Sequence, residues 1–197
     1  EEDLFVSAEQ INNQINVDLI TIIIDNASSS ELVNKLQLWS KKYNPDSFSG
    51  SSNEILELTT NKKLDRSNFT TFFIYNNENK GYSAGNNIGI RLADYLNVDT
   101  VLIANPDMRF ENENYIYELS KTLFSNEKYL VAASKVIGLD GKDQNPLREA
   151  SFLEELFWPR IIFPSIFKNT SYILPYKAGE IVSVPKITGC CLLLRMD

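Results

Sequence analysis

The 197-residue chain contains no histidine. That excludes Ser-His-Asp and Cys-His nucleophilic machinery, HExxH zinc sites and histidine proton shuttles from these residues. Any chemistry must run on carboxylates, amides, hydroxyls, Lys, Arg or a metal held by oxygen. Cysteine is scarce too. The two present, Cys190 and Cys191, are adjacent, which is neither a CxxC zinc spacing nor a disulfide framework. They read as reduced strand residues, small and apolar enough to be buried, in a cytoplasmic setting. Basic residues are in deficit, 19 Lys and Arg against 26 Asp and Glu for a net charge of −7, so no broad basic field exists to hold nucleic acid. Long apolar runs are missing as well: residues 19–24 and 192–194 fall far short of the roughly 20 residues that span a bilayer.

What is present is an alternation. At about 150 residues per domain the length gives one domain. Residues 2–14 carry Leu4, Phe5, Ala8 and Ile11 at helical spacing with acids in the first turn, an amphipathic helix. Residues 17–24 form a β-branched apolar run that suits a strand buried on both faces. Ser29 or Ser30 can cap the next helix, which presents Leu32, Val33, Leu36 and Trp39 and breaks near Asn44-Pro45. Residues 46–53 read as a mobile Ser/Asn/Gly loop, and the stretch to Ser67 is too polar to assign. Further expectations are a strand over 69–75, an Asn- and Gly-rich loop over 76–87, a helix over 87–95 and a strand over 100–104. A helix over 115–124, a strand over 130–137 and a turn at Asp140-Gly141 follow. Buried strands alternating with amphipathic helices predict an α/β fold with a mostly parallel sheet flanked by helices. The aromatic, proline-punctuated stretch 152–176 reads as a flap, a dimer contact, a membrane-surface contact, or ordinary packing.

Three polar motifs each follow a predicted strand: Asp25-Asn26-Ala27-Ser28, residues 79–87, and Asn105-Pro106-Asp107. In open α/β sheets the carboxyl ends of strands form the ligand crevice, because loops converge there and helix amino ends offer free N–H groups. Each motif keeps a plainer alternative. Asp25 can accept hydrogen bonds from a ligand or cap a helix. The glycines of 79–87 can admit a ligand to the backbone or simply make a turn; without a GK[ST] the segment is no Walker loop. Asp107 can hold Mg²⁺ or Mn²⁺, since diphosphate oxygens and water supply the remaining ligands, or it can belong to an Asn-Pro-Asp turn.

Taken together, residues 22–28 (IIIDNAS), 79–90 (NKGYSAGNNIGI) and 101–107 (VLIANPD) resemble the family 2 glycosyltransferases, especially bacterial rhamnosyltransferase-like members. Residues 132–135, 140–142 and 188–192 continue the likeness. The resemblance implies a GT-A fold that binds a nucleoside diphosphate sugar. It makes Asp25, with Asn26, the group contacting the nucleobase and sets Gly85 and Asn86 on the loop beside the nucleoside. Asn105-Pro106-Asp107 then stands at the family's DxD motif, with Asp107 the metal carboxylate and Asn105 near the sugar or ribose; the first Asp of that motif is here Asn105. Gly189 and Cys190 begin the acceptor-side wall. The resemblance also implies two segments not found in 1–197: a central first strand ending in Tyr-Asn, and an acidic motif carrying the catalytic base, expected after Asp197. With no initiator Met and no leader, a longer parent protein is expected.

The expectation is an inverting glycosyltransferase, cytoplasmic and at the inner face of the membrane, moving a sugar to a glycan or lipid-linked glycan in cell-surface polysaccharide synthesis. Homo-oligomerisation is compatible with it. The alternative is a catalytically silent nucleotide-binding module in a glycan-assembly complex.

Overall fold

A computed structural model of the chain describes residues 2–64, 68–147, 177 and 179–196. The aromatic stretch 152–176, with its expected flap or interface, lies outside the described residues. Of the apolar run 17–24, only the end joins a ladder: β1 (Thr21–Asp25) pairs in parallel with β3 (Thr71–Tyr75), from Thr21 opposite Thr71 to Asp25 opposite Tyr75. On the other side of β3 lies β2 (Ser47–Ser51), also parallel, ending with Ser51 opposite Tyr75. Asp25, Tyr75 and Ser51 therefore close one sheet at a common level.

β2 corrects the expected mobile loop over 46–53. Its Ser-Phe-Ser-Gly-Ser sequence has weak strand preference, yet the ladder with β3 and the packing of Phe48 against Phe69 and Phe72, at centroid distances of 5.7 and 6.0 Å, outweigh composition. Gly50 is what lets the strand turn directly into α3 (Ser52–Thr60), since a Cβ there would stand 2.7 Å from both the Phe48 ring and the Glu54 carboxylate.

α2 (Ser30–Tyr43) starts as expected, with Ser29 Oγ accepting from Leu32 N at 3.3 Å. α4 (Tyr82–Tyr95) starts five residues earlier than expected. Gly81, at φ +89°, makes the turn, and its N–H is received by Asn79 Oδ1 at 2.9 Å. Gly85 and Asn86 thus sit in the first turns of a helix rather than on a loop.

The second sheet departs from the expected parallel pattern. β4 (Thr100–Ala104) and β5 (Val131–Ala132) flank β6 (Cys191–Arg195), and both run antiparallel to it. The reason is the apolar 191–195 run, which returns from the far end of the sequence into the middle of the sheet; no strand–helix alternation could announce it. Leu193 packs there on Leu119 and Leu123 of α5 (Tyr115–Phe124). The expected strand 130–137 shrinks to β5. Beyond it Ile137 bridges to Asp143, and the turn at Asp140-Gly141 closes with Gly138 N donating to Lys142 O at 2.8 Å.

α1 (Glu2–Asn12) and the turn after it reach β1 on one side and the start of α5 on the other. Asn12 Oδ1 receives the hydroxyl of Thr21, and just past the helix Gln14 receives the amide of Ile116. Among the described residues, β1 and β4 are the outer strands of their sheets. Every residue of both strands lines a single cavity of about 1000 Å³, closed on its sides by α1 and α4.

Candidate functional site

The cavity extends past the carboxyl ends of β1 and β4. There it is lined by Asp25, Asn26 and Ser28 from the first motif, Tyr82, Gly85 and Asn86 from the second, and Asn105, Pro106 and Asp107 from the third. The three motifs that lie apart in sequence share one crevice.

Asp25 ends β1 with only 6% of its surface exposed. One of its oxygens, Oδ2, accepts from Ser28 N at 3.1 Å, so the carboxylate does hold the strand-to-helix turn while it faces the cavity. The turn is tight: Ala27 adopts φ +65°, a left-handed conformation costing about 1 kcal/mol or more for a residue with a Cβ. Asn26 Oδ1 accepts from Asn76 Nδ2 at 2.9 Å, tying the end of β1 to the end of β3.

Gly85 has a local reason for being glycine. A Cβ there would lie 2.6 Å from Asn26 Nδ2 and 2.9 Å from its Oδ1. The room it leaves is taken by the Asn26 amide, not left for a ligand to approach the backbone. Asn86, half-buried beside it, keeps its place on the cavity wall.

Asn105 and Asp107 leave β4 on the opposite side. Asn105 N donates to Cys190 O at 2.8 Å, and Met108 N to Asn105 O at 3.2 Å. Asp107 is exposed. Among the described residues no cluster of three or more acids or thiols exists that could by itself enclose a metal. One hard carboxylate at the mouth of a crevice fits a Mg²⁺ or Mn²⁺ ion whose other ligands are diphosphate oxygens and water; it does not fit an all-protein cage.

Gly189 and Cys190 do not line the cavity wall but adjoin it. Tyr82 Oη donates to Gly189 O at 2.6 Å, and Thr188 Oγ1 donates to Cys190 Sγ at 3.5 Å. Behind them Asn145, 2% exposed, donates to Ser134 O at 2.8 Å and accepts from Thr188 N at 3.1 Å. Deeper still, the Tyr115 phenol lies 3.0 Å from Ser134 Oγ and 3.4 Å from Cys191 Sγ. Burial, then the neighbouring Cys191, pushes that phenol far above its usual range, and burial likewise raises the Cys191 thiol. Tyr82 sits inside the 79–90 motif without a signal of its own, and nothing in the sequence around Asn145 marks it.

No family model matches the chain, and no solved structure matches it. It is 26% identical over 188 residues to the low-salt glycan biosynthesis hexosyltransferase Agl10 of the archaeon Haloferax volcanii. That alignment takes in 92% of the chain and 54% of Agl10, so the chain spans about half the length of this relative. What is in hand is an α/β chain with a helix-flanked, parallel three-stranded sheet and a hexosyltransferase as a distant relative.

Proposed function

We propose that this crevice is the donor site of a glycosyltransferase of family 2 and GT-A type, one that moves a sugar from a nucleoside diphosphate to a hydroxyl of a glycan or lipid-linked glycan. The observation that carries the reading is the meeting of all three strand-end motifs on one cavity, and the hexosyltransferase relative supports it. Asp25 and Asn26 offer acceptors and donors for a base edge, Gly85 and Asn86 form the wall beside the nucleoside, and Asn105 faces the ribose or sugar. Asp107 is the residue that would hold Mg²⁺ or Mn²⁺, which when bound stabilises charge on the leaving diphosphate. The acceptor hydroxyl attacks the anomeric carbon from the face opposite the breaking bond to diphosphate, giving inversion, and its proton passes to a general base. That base is proposed to lie outside residues 1–197. So is a strand of the same polypeptide that would pair with the outer edges of β1 and β4, fill the cavity between them and leave the cavity's end beyond Asp25 and Ala104, where the three motifs meet, as the donor site.

The same reading sets the enzyme in the cytoplasm at the inner face of the membrane, in bacterial cell-surface polysaccharide synthesis. Among the described residues no helix is long and apolar enough to cross a membrane.

The test is calorimetry of the full-length protein with UDP, GDP, dTDP and CDP, in manganese and then in chelator. One nucleotide is expected to bind selectively, with affinity falling in chelator and in Asp107→Ala by roughly tenfold or more, the scale of a lost charged contact. Asn105 in place of an acid favours a second reading, a nucleotide-binding module without turnover. Binding without sugar transfer would select it; no binding to any nucleotide would defeat both.

A further inference from the structure

We propose that Tyr82 is a positioning residue that couples occupancy of the donor crevice to the order of the 188–190 wall. This rests on the donor-site reading above. Tyr82 is the first residue of α4, aimed by the left-handed Gly81, where a Cβ would meet nothing within 4 Å and only the backbone conformation calls for glycine. Its phenol donates to Gly189 O at 2.6 Å across 107 residues of sequence, and its ring edge lies 4.0 Å from where a Gly189 Cβ would be. The next residue of the same wall is gripped from the other side by Asn105 N on Cys190 O. Both grips come from residues that line the donor cavity, so a ligand that orders α4's first turn and the end of β4 also fixes Gly189 and Cys190. The ring has a further use. With 50% of its surface exposed, Tyr82 is not needed by the core, and its free face is open to whatever enters the crevice.

Hydrogen–deuterium exchange of the full-length protein, wild type and Tyr82→Phe, tests this. The variant keeps the ring and removes only the hydroxyl. Amides of 188–191 are expected to exchange roughly threefold to tenfold faster in Tyr82→Phe, the effect of one net hydrogen bond, with an unchanged thermal melt. Adding the nucleotide selected from UDP, GDP, dTDP and CDP, with manganese, is expected to slow exchange at both 79–87 and 188–191 in the wild type. In the variant only 79–87 should respond. Equal exchange at 188–191 in the two proteins, or equal protection by nucleotide, overturns the proposal. If the variant melts early, the wild type decides alone, and nucleotide protection confined to 79–87 overturns it. If no nucleotide binds the wild type, the donor-site reading fails, while the exchange comparison without nucleotide still judges the Tyr82 contact.

Discussion

Replacing Gly85 with alanine sets two effects against each other. A helical glycine ordinarily costs about 0.5–1 kcal/mol relative to alanine, so the exchange should help. At Gly85 the new methyl would sit 2.6 Å from Asn26 Nδ2, and Asn26 cannot swing away without losing its bond from Asn76. Overpacking of this kind costs about 1–3 kcal/mol and wins. Gly89, one turn on, is the control: its Cβ would meet Ile24 Cγ1 at 3.8 Å, an ordinary contact. In urea denaturation Gly89→Ala is expected to gain about 0.5–1 kcal/mol and Gly85→Ala to lose about 1 kcal/mol, with nucleotide affinity falling only in the latter. Two losses, or two gains, would show that the Asn26 contact does not decide the matter. From sequence the two glycines look alike, because what separates them is a side chain on β1's loop that no local pattern brings near.

At the scale of elements, α1 and the turn after it act as a strap between β1 and the 110–116 segment that leads into α5, and their polar side chains do the fastening. Gln14, 7% exposed, accepts from Ile116 N at 3.0 Å and donates to Asn112 O at 2.8 Å; Gln10 accepts from Phe110 N at 2.7 Å. Asp3 adds an ion pair to Arg109 that is exposed to solvent and worth little. Gln14→Leu matches the volume but leaves the buried Ile116 amide unpaired, while Asn112 O keeps the Tyr115 amide at 3.0 Å, for an expected loss of about 1–3 kcal/mol in urea titration. A loss no larger than that of a surface substitution would mean water replaces both bonds. The apolar spacing of α1 was legible, as were α2 with its Ser29 cap, β3, β4 and α5, because their signals are local. β2 was not, since its serines pair only because β3 stands beside them. The start of α4 was hidden because a left-handed Gly81 replaces the usual side-chain cap. In the site, the three motifs could be read because each is a switch from apolar strand to polar turn. The contacts joining them to the opposite wall, Tyr82 to Gly189 and Asn145 to Thr188, span 107 and 43 residues and leave no mark in either neighbourhood.

For the molecule as a whole, the missing histidine has a thermodynamic consequence. Within residues 1–197 no side chain of ordinary pKa changes charge between about pH 5 and 8, so the contribution of these residues to stability should be nearly flat there and its first loss should come on the alkaline side. The cause is the cluster where α5, β6 and the 134 segment meet. Burial holds both the Tyr115 phenol and the Cys191 thiol protonated in the folded state to higher pH than in the unfolded chain; the neighbouring Cys191 adds to the rise at the phenol, while the Tyr115 hydrogen bond offsets part of it at the thiol. Above about pH 8.5 for the thiol, and about 10 for the phenol, the unfolded chain releases protons that the folded chain keeps. The stability these groups contribute is therefore intact below about pH 8.5 and falls as pH rises, by up to about 1.4 kcal/mol per pH unit for each group that titrates only when unfolded. General repulsion in a chain of net charge −7 would slope the same way, but salt screens it at the surface and barely reaches a buried pair. Urea midpoints measured from pH 7 to 10.5 in 0.5 M salt are thus expected to stay level to about pH 8.5 and then drop. Cys191→Ala should postpone the onset toward pH 10, and Tyr115→Phe should flatten the upper limb. An alkaline slope that salt abolishes, or that survives unchanged in both variants, would place the loss in surface charge and not in the cluster beneath β6.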